Sequence, residues 1–446
     1  MKNFIIYLLL FTCGITSSFS QTLRLPGFFS DNMVLQQNAQ VKIWGWAKSG
    51  QKVSIVPSWS GDTIVTTTTG DARWKTSLET PAAGGPYRID LISQDQHKVL
   101  ENVLIGEVWL VSGQSNMQWS AQSNLKEMQD ILPNITNPNI RFLQVSNIAS
   151  QTPQDNIFDT WATCNPTSAA SFSAIGYFFA EELQTQLGVP IGIINASWGG
   201  SSAEFWIPKA DIDKDRELKK YADMQTLAPR KPYQPGVLWN SMLYPFAGYA
   251  IKGALWYQGE DNTISYGGYD KLIKTMVGAW REAWEADFPF YFVQIAPYTY
   301  KYATPNGALL REQQSLTAST LHKSGMVVTT DLTPDIKNIH PTKKKEVALR
   351  LANLALTKDY LQHNTDYQSP IYKDHQVEGN KIRIRFSNLT GGLKVEGKDI
   401  KELYIAGIDQ KFYPAQYKIT GNELIVFSDE VKAPVAVRFG FTDTAI

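Results

Sequence analysis

Five apolar runs that are too continuous for strands with one wet face constrain the fold most. They are Val108-Trp109-Leu110-Val111-Ser112, Ile191-Gly192-Ile193-Ile194-Asn195, a stretch within Gly248–Tyr257, Phe290–Ala296 and Gly325–Thr330. A strand reads this way when helices cover both faces of its sheet, as they do in parallel sheets. Helical periodicity fills intervals between the runs, in Ala174–Leu183, Tyr269–Trp284 and Lys343–Lys358. Strand alternating with helix predicts an α/β fold with a parallel, doubly wound sheet over residues 104–364. Such sheets carry their ligand sites at the carboxyl ends of the strands.

The flanks have a different texture. Residues 21–103 alternate with period two in Gln40–Trp46, Lys52–Val56 and Thr63–Thr67, with turns at Gly61-Asp62, Gly70-Asp71 and Gly84-Gly85-Pro86, which predicts a β-sandwich domain. Alternation returns in Lys381–Phe386 and Glu423–Phe427, so 365–446 is expected to be a C-terminal β-rich region. At the other end, Lys2, the short apolar run Phe4 to Ile15 and the small residues of Ser18-Phe19-Ser20 read as a signal peptide over 1–20, with export to the periplasm or beyond. A rival reading makes Cys13 a lipidation site, although Thr12 is large for the position before it. With Cys13 removed, Cys164 is the one cysteine left and no internal disulfide can form.

Composition then excludes several classes of function. Lys plus Arg and Asp plus Glu both number 42, so there is no basic field for nucleic acid. After the signal no apolar run reaches the length of a membrane span. No Cys/His cluster has metal-ligand spacing, and neither a metal nor another cofactor is expected. Thirteen Trp and twenty Tyr leave sugars, which stack on aromatic faces, as plausible ligands.

Chemistry collects where the buried runs stop. The first ends in Gly113-Gln114-Ser115-Asn116-Met117, the second in Ala196-Ser197-Trp198-Gly199-Gly200-Ser201, and the third in Trp256-Tyr257-Gln258-Gly259-Glu260. A Ser where a strand stops sits among outward N–H groups, which suits a nucleophile and an oxyanion site. Each segment alone is equally a polar turn, and the first lacks the Gly-x-Ser-x-Gly elbow of α/β hydrolases. Three such turns at one end of one sheet would converge on a single crevice. Of the five histidines, His340 alone lies on a rigid loop after a buried run, in Asn338-Ile339-His340-Pro341, placed as a general base for a Ser.

These segments in this order, with the opening Phe29-Ser30-Asp31-Asn32-Met33-Val34-Leu35-Gln36 and Phe172-Ser173-Ala174, resemble the sialate O-acetylesterase family, a branch of the SGNH hydrolases. The resemblance implies a flavodoxin-like three-layer core, Ser115 as nucleophile and His340 as general base. It implies an oxyanion hole from the backbone N–H groups of Ser115 and of Gly199 or Gly200, with the Gln258 amide. The histidine of the wider superfamily follows an Asp by three residues, but that position is Lys337 here, with Asn338 two before the His. The resemblance makes Glu260 the first candidate for the triad acid, since related carbohydrate acetylesterases recruit the Glu of this motif, with Asp335 and Asp331 next; a Ser–His dyad whose imidazole is oriented by a backbone carbonyl is the remaining arrangement. The implied activity is hydrolysis of acetate esters on sugars, above all O-acetylated sialic acid. Alternatives are an acetylxylan or other plant-polysaccharide esterase, a glycosidase built on Glu260, and a non-catalytic carbohydrate-binding protein.

Overall fold

A computed structural model of the chain describes residues 22–225, 232–362, 369–389, 391–395 and 397–446. The signal peptide expected over 1–20, with Cys13, lies outside the described residues, as does the boundary expected at 364/365. Seven strands come first: β1 Val34–Gln36, β2 Gln40–Trp46, β3 Lys52–Pro57, β4 Ile64–Thr67, β5 Arg73–Glu79, β6 Gly84–Ser93 and β7 Gln96–Gly113. β2 pairs with β5 alone, while β4, β3, β6 and β7 run side by side and β1 adds to β7 in parallel. The 18-residue β7 runs unbroken through the boundary expected at 103/104, so the N-terminal strands and the central sheet share one strand.

The central sheet continues with β8 Asn137–Gln144, β9 Trp161–Cys164, β10 Ile191–Ser197, β11 Gly253–Tyr257, β12 Phe290–Val293 and β13 Ser324–Val327. Its order is β13-β12-β11-β7-β10-β8-β9. All neighbours are parallel except β8 and β9. The expectation of a purely parallel sheet is thus corrected to a mixed one. β8 and β9 escape a search for apolar runs because β8 opens on Asn137-Pro138-Asn139 and carries Arg141 in its middle, and β9 is an antiparallel edge strand of four residues.

Period two along the strands builds two cores. Val108, Leu110, Ala254, Trp256, Phe290 and Phe292 face one cluster, which holds the apolar side of helix Tyr269–Trp284 and also the N-terminal strands through Val41, Ile55 and Leu91. Trp109, Val111, Leu255, Tyr257, Tyr291 and Val293 face the other, filled by helices Ala174–Leu187 and Lys344–Asp359. Free Cys164 is buried in that second cluster.

The C-terminal region forms β14 Ile371–Glu378, β15 Lys381–Ser387, β16 Leu403–Ala406, β17 Phe412–Pro414, β18 Gln416–Thr420, β19 Glu423–Phe427 and β20 Ala436–Phe439. They make two antiparallel sheets, β14-β15-β19-β18 and β17-β16-β20. Ile382, Ile384, Leu403, Ile405, Leu424, Val426 and Val431 form a small core separate from both central clusters. Its tail returns to the central sheet: Asp443 Oδ1 accepts from Gly307 N–H at 2.7 Å, at the start of helix Asn306–Thr320.

Candidate active site

Strand register brings the three turns together. Gly113 lies opposite Ser197 on β10 and opposite Tyr257 on β11, so all three strands end in one row. The winding also reverses at β7, with β10 and β8 on one side and β11, β12 and β13 on the other, and open α/β sheets bind their ligands at such switch points. Gly113 has φ 132°, and a Cβ there would meet the Tyr257 carbonyl oxygen at 2.2 Å. Glycine alone permits that approach. The turns are then laced by hydrogen bonds: Gln114 N–H donates to Tyr257 O (3.0 Å) and Trp198 N–H to Gly113 O (3.0 Å). Buried Gln114 accepts through Oε1 from Gly259 N–H (3.3 Å).

Ser115 begins the four-residue helix Ser115–Gln118, where a backbone N–H has no intrahelical acceptor. Below it, buried Ser173 donates its hydroxyl to Met117 O at 2.6 Å and caps helix Ala174–Leu187 by accepting from Gly176 N–H at 3.0 Å. The Ser115 Oγ lies 2.8 Å from His340 Nε2. The imidazole stacks on Trp119 with ring centres 4.3 Å apart. Burial, and then the nearby charge of Lys344, push the His340 pKa down to about 4.

Gly199 also reaches the nucleophile. A Cβ built on it would stand 3.3 Å from Ser115 Cβ, and its N–H donates to Gln118 Oε1 at 2.7 Å. Gly200, next in the chain, has φ 71°. Gln258 does not fit the oxyanion role expected of it. It is fully buried, and its amide donates to Ser201 O (3.1 Å) and Asn262 Oδ1 (2.7 Å) while Oε1 accepts from Tyr269 O–H (2.9 Å). Both amide hydrogens are engaged, one tying the third turn to the second at Ser201 and the other held within the third turn by Asn262.

None of the three expected acids hydrogen-bonds to His340. Buried Glu260 accepts through Oε1 from Asn116 Nδ2 at 2.5 Å, and its Oε2 has no partner among the described residues. Desolvation raises its pKa to about 7. Asp331 is held by Arg350, with Nη1 to Oδ1 at 2.9 Å and Nη2 to Oδ2 at 2.5 Å. Asp335 is exposed and accepts from Lys337 N–H at 2.8 Å. Asn338 accepts through Oδ1 from the backbone N–H of His340 at 3.0 Å rather than from its ring.

Three neighbours of the Ser–His pair carry no role in the sequence reading: Asn116, Trp119 and Lys344. Asn116 stands inside the quoted Gly113–Met117 segment, yet only its neighbour Ser115 draws attention there. Lys344 hides in Lys343-Lys344-Lys345, which looks like solvated charge. Helical spacing would have revealed it, because Val347, Ala348, Leu351 and Ala355 share its face and are buried with it. Among the described residues no group of three or more His, Cys, Asp or Glu could hold a metal ion.

This arrangement can deliver an activated hydroxyl to an ester carbonyl, and the proteins this chain is similar to are esterases. Residues 105–357 match the family described as carbohydrate esterase, sialic acid-specific acetylesterase. The chain is 27% identical over 463 residues to the sialate O-acetylesterase of Homo sapiens, covering 94% of this chain and 87% of that one. It is 26% identical to the Rattus norvegicus sialate O-acetylesterase over 488 residues, covering 94% and 89%. The crystal structure of a carbohydrate acetylesterase from Xanthomonas citri is similar with TM-score 0.86 and 32% identity, covering 95% of each chain.

Proposed function

The chain belongs to the carbohydrate esterase family of sialic acid-specific acetylesterases, and from that premise we propose that it is exported and removes O-acetyl groups from sialic acid through a Ser115–His340 couple. It is a carboxylic ester hydrolase acting on acetylated carbohydrate. The observation that supports the catalytic couple is the 2.8 Å contact of Ser115 Oγ with His340 Nε2 at the shared strand ends.

In this reading His340 Nε2 takes the Ser115 proton as Oγ attacks the acetyl carbonyl. The tetrahedral oxyanion accepts from the Ser115 backbone N–H and from Gly199 or Gly200, displacing Gln118 Oε1 where it now holds Gly199. Each such donor contributes about 3 kcal/mol in the transition state. His340 then hands its proton to the departing sugar oxygen, leaving acetate on Ser115. Water activated by the same imidazole releases the acetate and restores the serine. The couple works as a dyad on a flavodoxin-like three-layer core: among the described residues no carboxylate hydrogen-bonds to the imidazole, which is set by Trp119 stacking and by its backbone.

Two curated relatives are named for sialate, whereas the Xanthomonas citri relative is named only as a carbohydrate acetylesterase. The second reading is accordingly a polysaccharide acetylesterase. Acetate release from O-acetylated sialic acid and from acetylated xylan separates the two. The sialate reading expects the first to be faster by about tenfold or more in kcat/KM, about 1.4 kcal/mol of transition-state preference. Equal rates would mean a promiscuous deacetylase, and sugar binding without turnover would mean a binding module.

A further inference from the structure

Asn116 sits between a buried anion and a buried cation. Its Nδ2 donates to Glu260 Oε1 at 2.5 Å and to the Ile339 carbonyl at 3.0 Å, and its Oδ1 accepts from Lys344 Nζ at 2.6 Å. Lys344 is only 1% exposed. Its ammonium faces the rings of Tyr257 (5.3 Å) and Trp119 (5.8 Å), and no carboxylate lies within ion-pair distance of it among the described residues. The amide suits all three neighbours, because it donates twice, to the carboxylate and to the carbonyl, and accepts from the ammonium. A buried charge left unpaired is costly, so Glu260 and Lys344 compensate each other through Asn116.

The chain positions explain what such a network does. Asn116 follows the nucleophile, Ile339 precedes His340, and Lys344 opens the helix four residues beyond it. We propose that Lys344 is a positioning residue for the esterase reaction: through Asn116, with Glu260 as counter-charge, it locks the His340 loop against Ser115. Glu260 thus acts on the loop rather than on the imidazole.

Electrostatics agrees with this geometry. Burial brings Lys344 down to about 7 and Glu260 up to about 7. The charge that acts on the imidazole is Lys344, which in turn feels Glu260 beyond Asn116 and Glu127, whose carboxylate accepts from Lys345 N–H at 2.9 Å. The lysine charge adds to burial in keeping His340 deprotonated and ready as a base.

The inference rests on the Ser115–His340 reading, and three variants of the full chain, Lys344→Met, Glu260→Gln and the double, test it beside Ser115→Ala. With an aryl acetate, Lys344→Met is expected to lower kcat by about 10²-fold with KM within about twofold. The acidic limb of kcat/KM should move upward from about 4 toward the ordinary imidazole value of 6.5. Glu260→Gln should lower kcat similarly, and the double variant should melt above both single variants while being no slower than Lys344→Met. Wild-type kcat with an unmoved limb in Lys344→Met overturns the proposal. If that variant does not fold, a double variant melting no higher than Glu260→Gln overturns it instead. Retained activity in Ser115→Ala sinks the esterase site itself, whereas a dead Ser115→Ala beside a fully active Lys344→Met sinks only the lysine's role.

Discussion

As the proposed general base His340 is unusual, because burial and Lys344 both disfavour its protonated form and no carboxylate among the described residues hydrogen-bonds to its ring. The acidic limb of kcat/KM reports the free-enzyme base, so it should lie near pH 4 rather than at 6.5, measurable with an aryl acetate in constant-ionic-strength buffers. Stability follows the same sign: the folded pKa is depressed, so the unfolded chain takes up the proton first. The contribution of His340 is then fully present above 6.5 and is lost as the pH falls through about 4. Substituting the other two acids tests the dyad from outside. Asp331, occupied by Arg350, and Asp335, held in its own turn, should each tolerate Asn with kcat changed by less than about threefold. A loss approaching the roughly 10⁴-fold of a displaced triad acid would show that one of them reaches the histidine during turnover. At this scale the meeting of Ser115 with His340 was legible from their places after buried runs. Lys344 and Asn116 were not, since their function depends on partners distant in sequence.

Among the elements, the three strand ends were readable because a strand buried on both faces is an apolar run with a sharp polar stop. Gly113, Ser197 and Tyr257 do end in one row. What the runs could not tell was spacing between strands, and that depends on Gly113. Its φ of 132° and the 2.2 Å approach of a Cβ to Tyr257 O leave no room for a side chain. Gly113→Ala should therefore cost about 2–4 kcal/mol, seen as a lowered chemical-denaturation midpoint, with esterase activity falling together with it. The strands β8 and β9 were illegible for a different reason. Pro138 and Arg141 break the apolar signature in β8, and pairing with a neighbour supplies what propensity does not.

Taken whole, the molecule joins its N-terminal strands to the central sheet through β7 and one continuous core, whereas the C-terminal strands keep a core of their own. The sequence offered alternating patterns at both ends but no sign of this difference, because period two specifies a strand and not its neighbour. Calorimetry should resolve a smaller transition for the C-terminal region. Ile405→Ala, which truncates a fully buried side chain there, should lower that transition by about 2–4 kcal/mol and leave acetate release within about twofold below it. The central claim remains that one crevice at the carboxyl ends of β10, β7 and β11 performs the deacetylation with Ser115 as nucleophile. Acetate release from O-acetylated sialic acid by Ser115→Ala, with the fold verified by circular dichroism, tests it most directly. A loss on the order of 10⁴-fold or more is expected, whereas turnover within tenfold of the wild-type rate would contradict it.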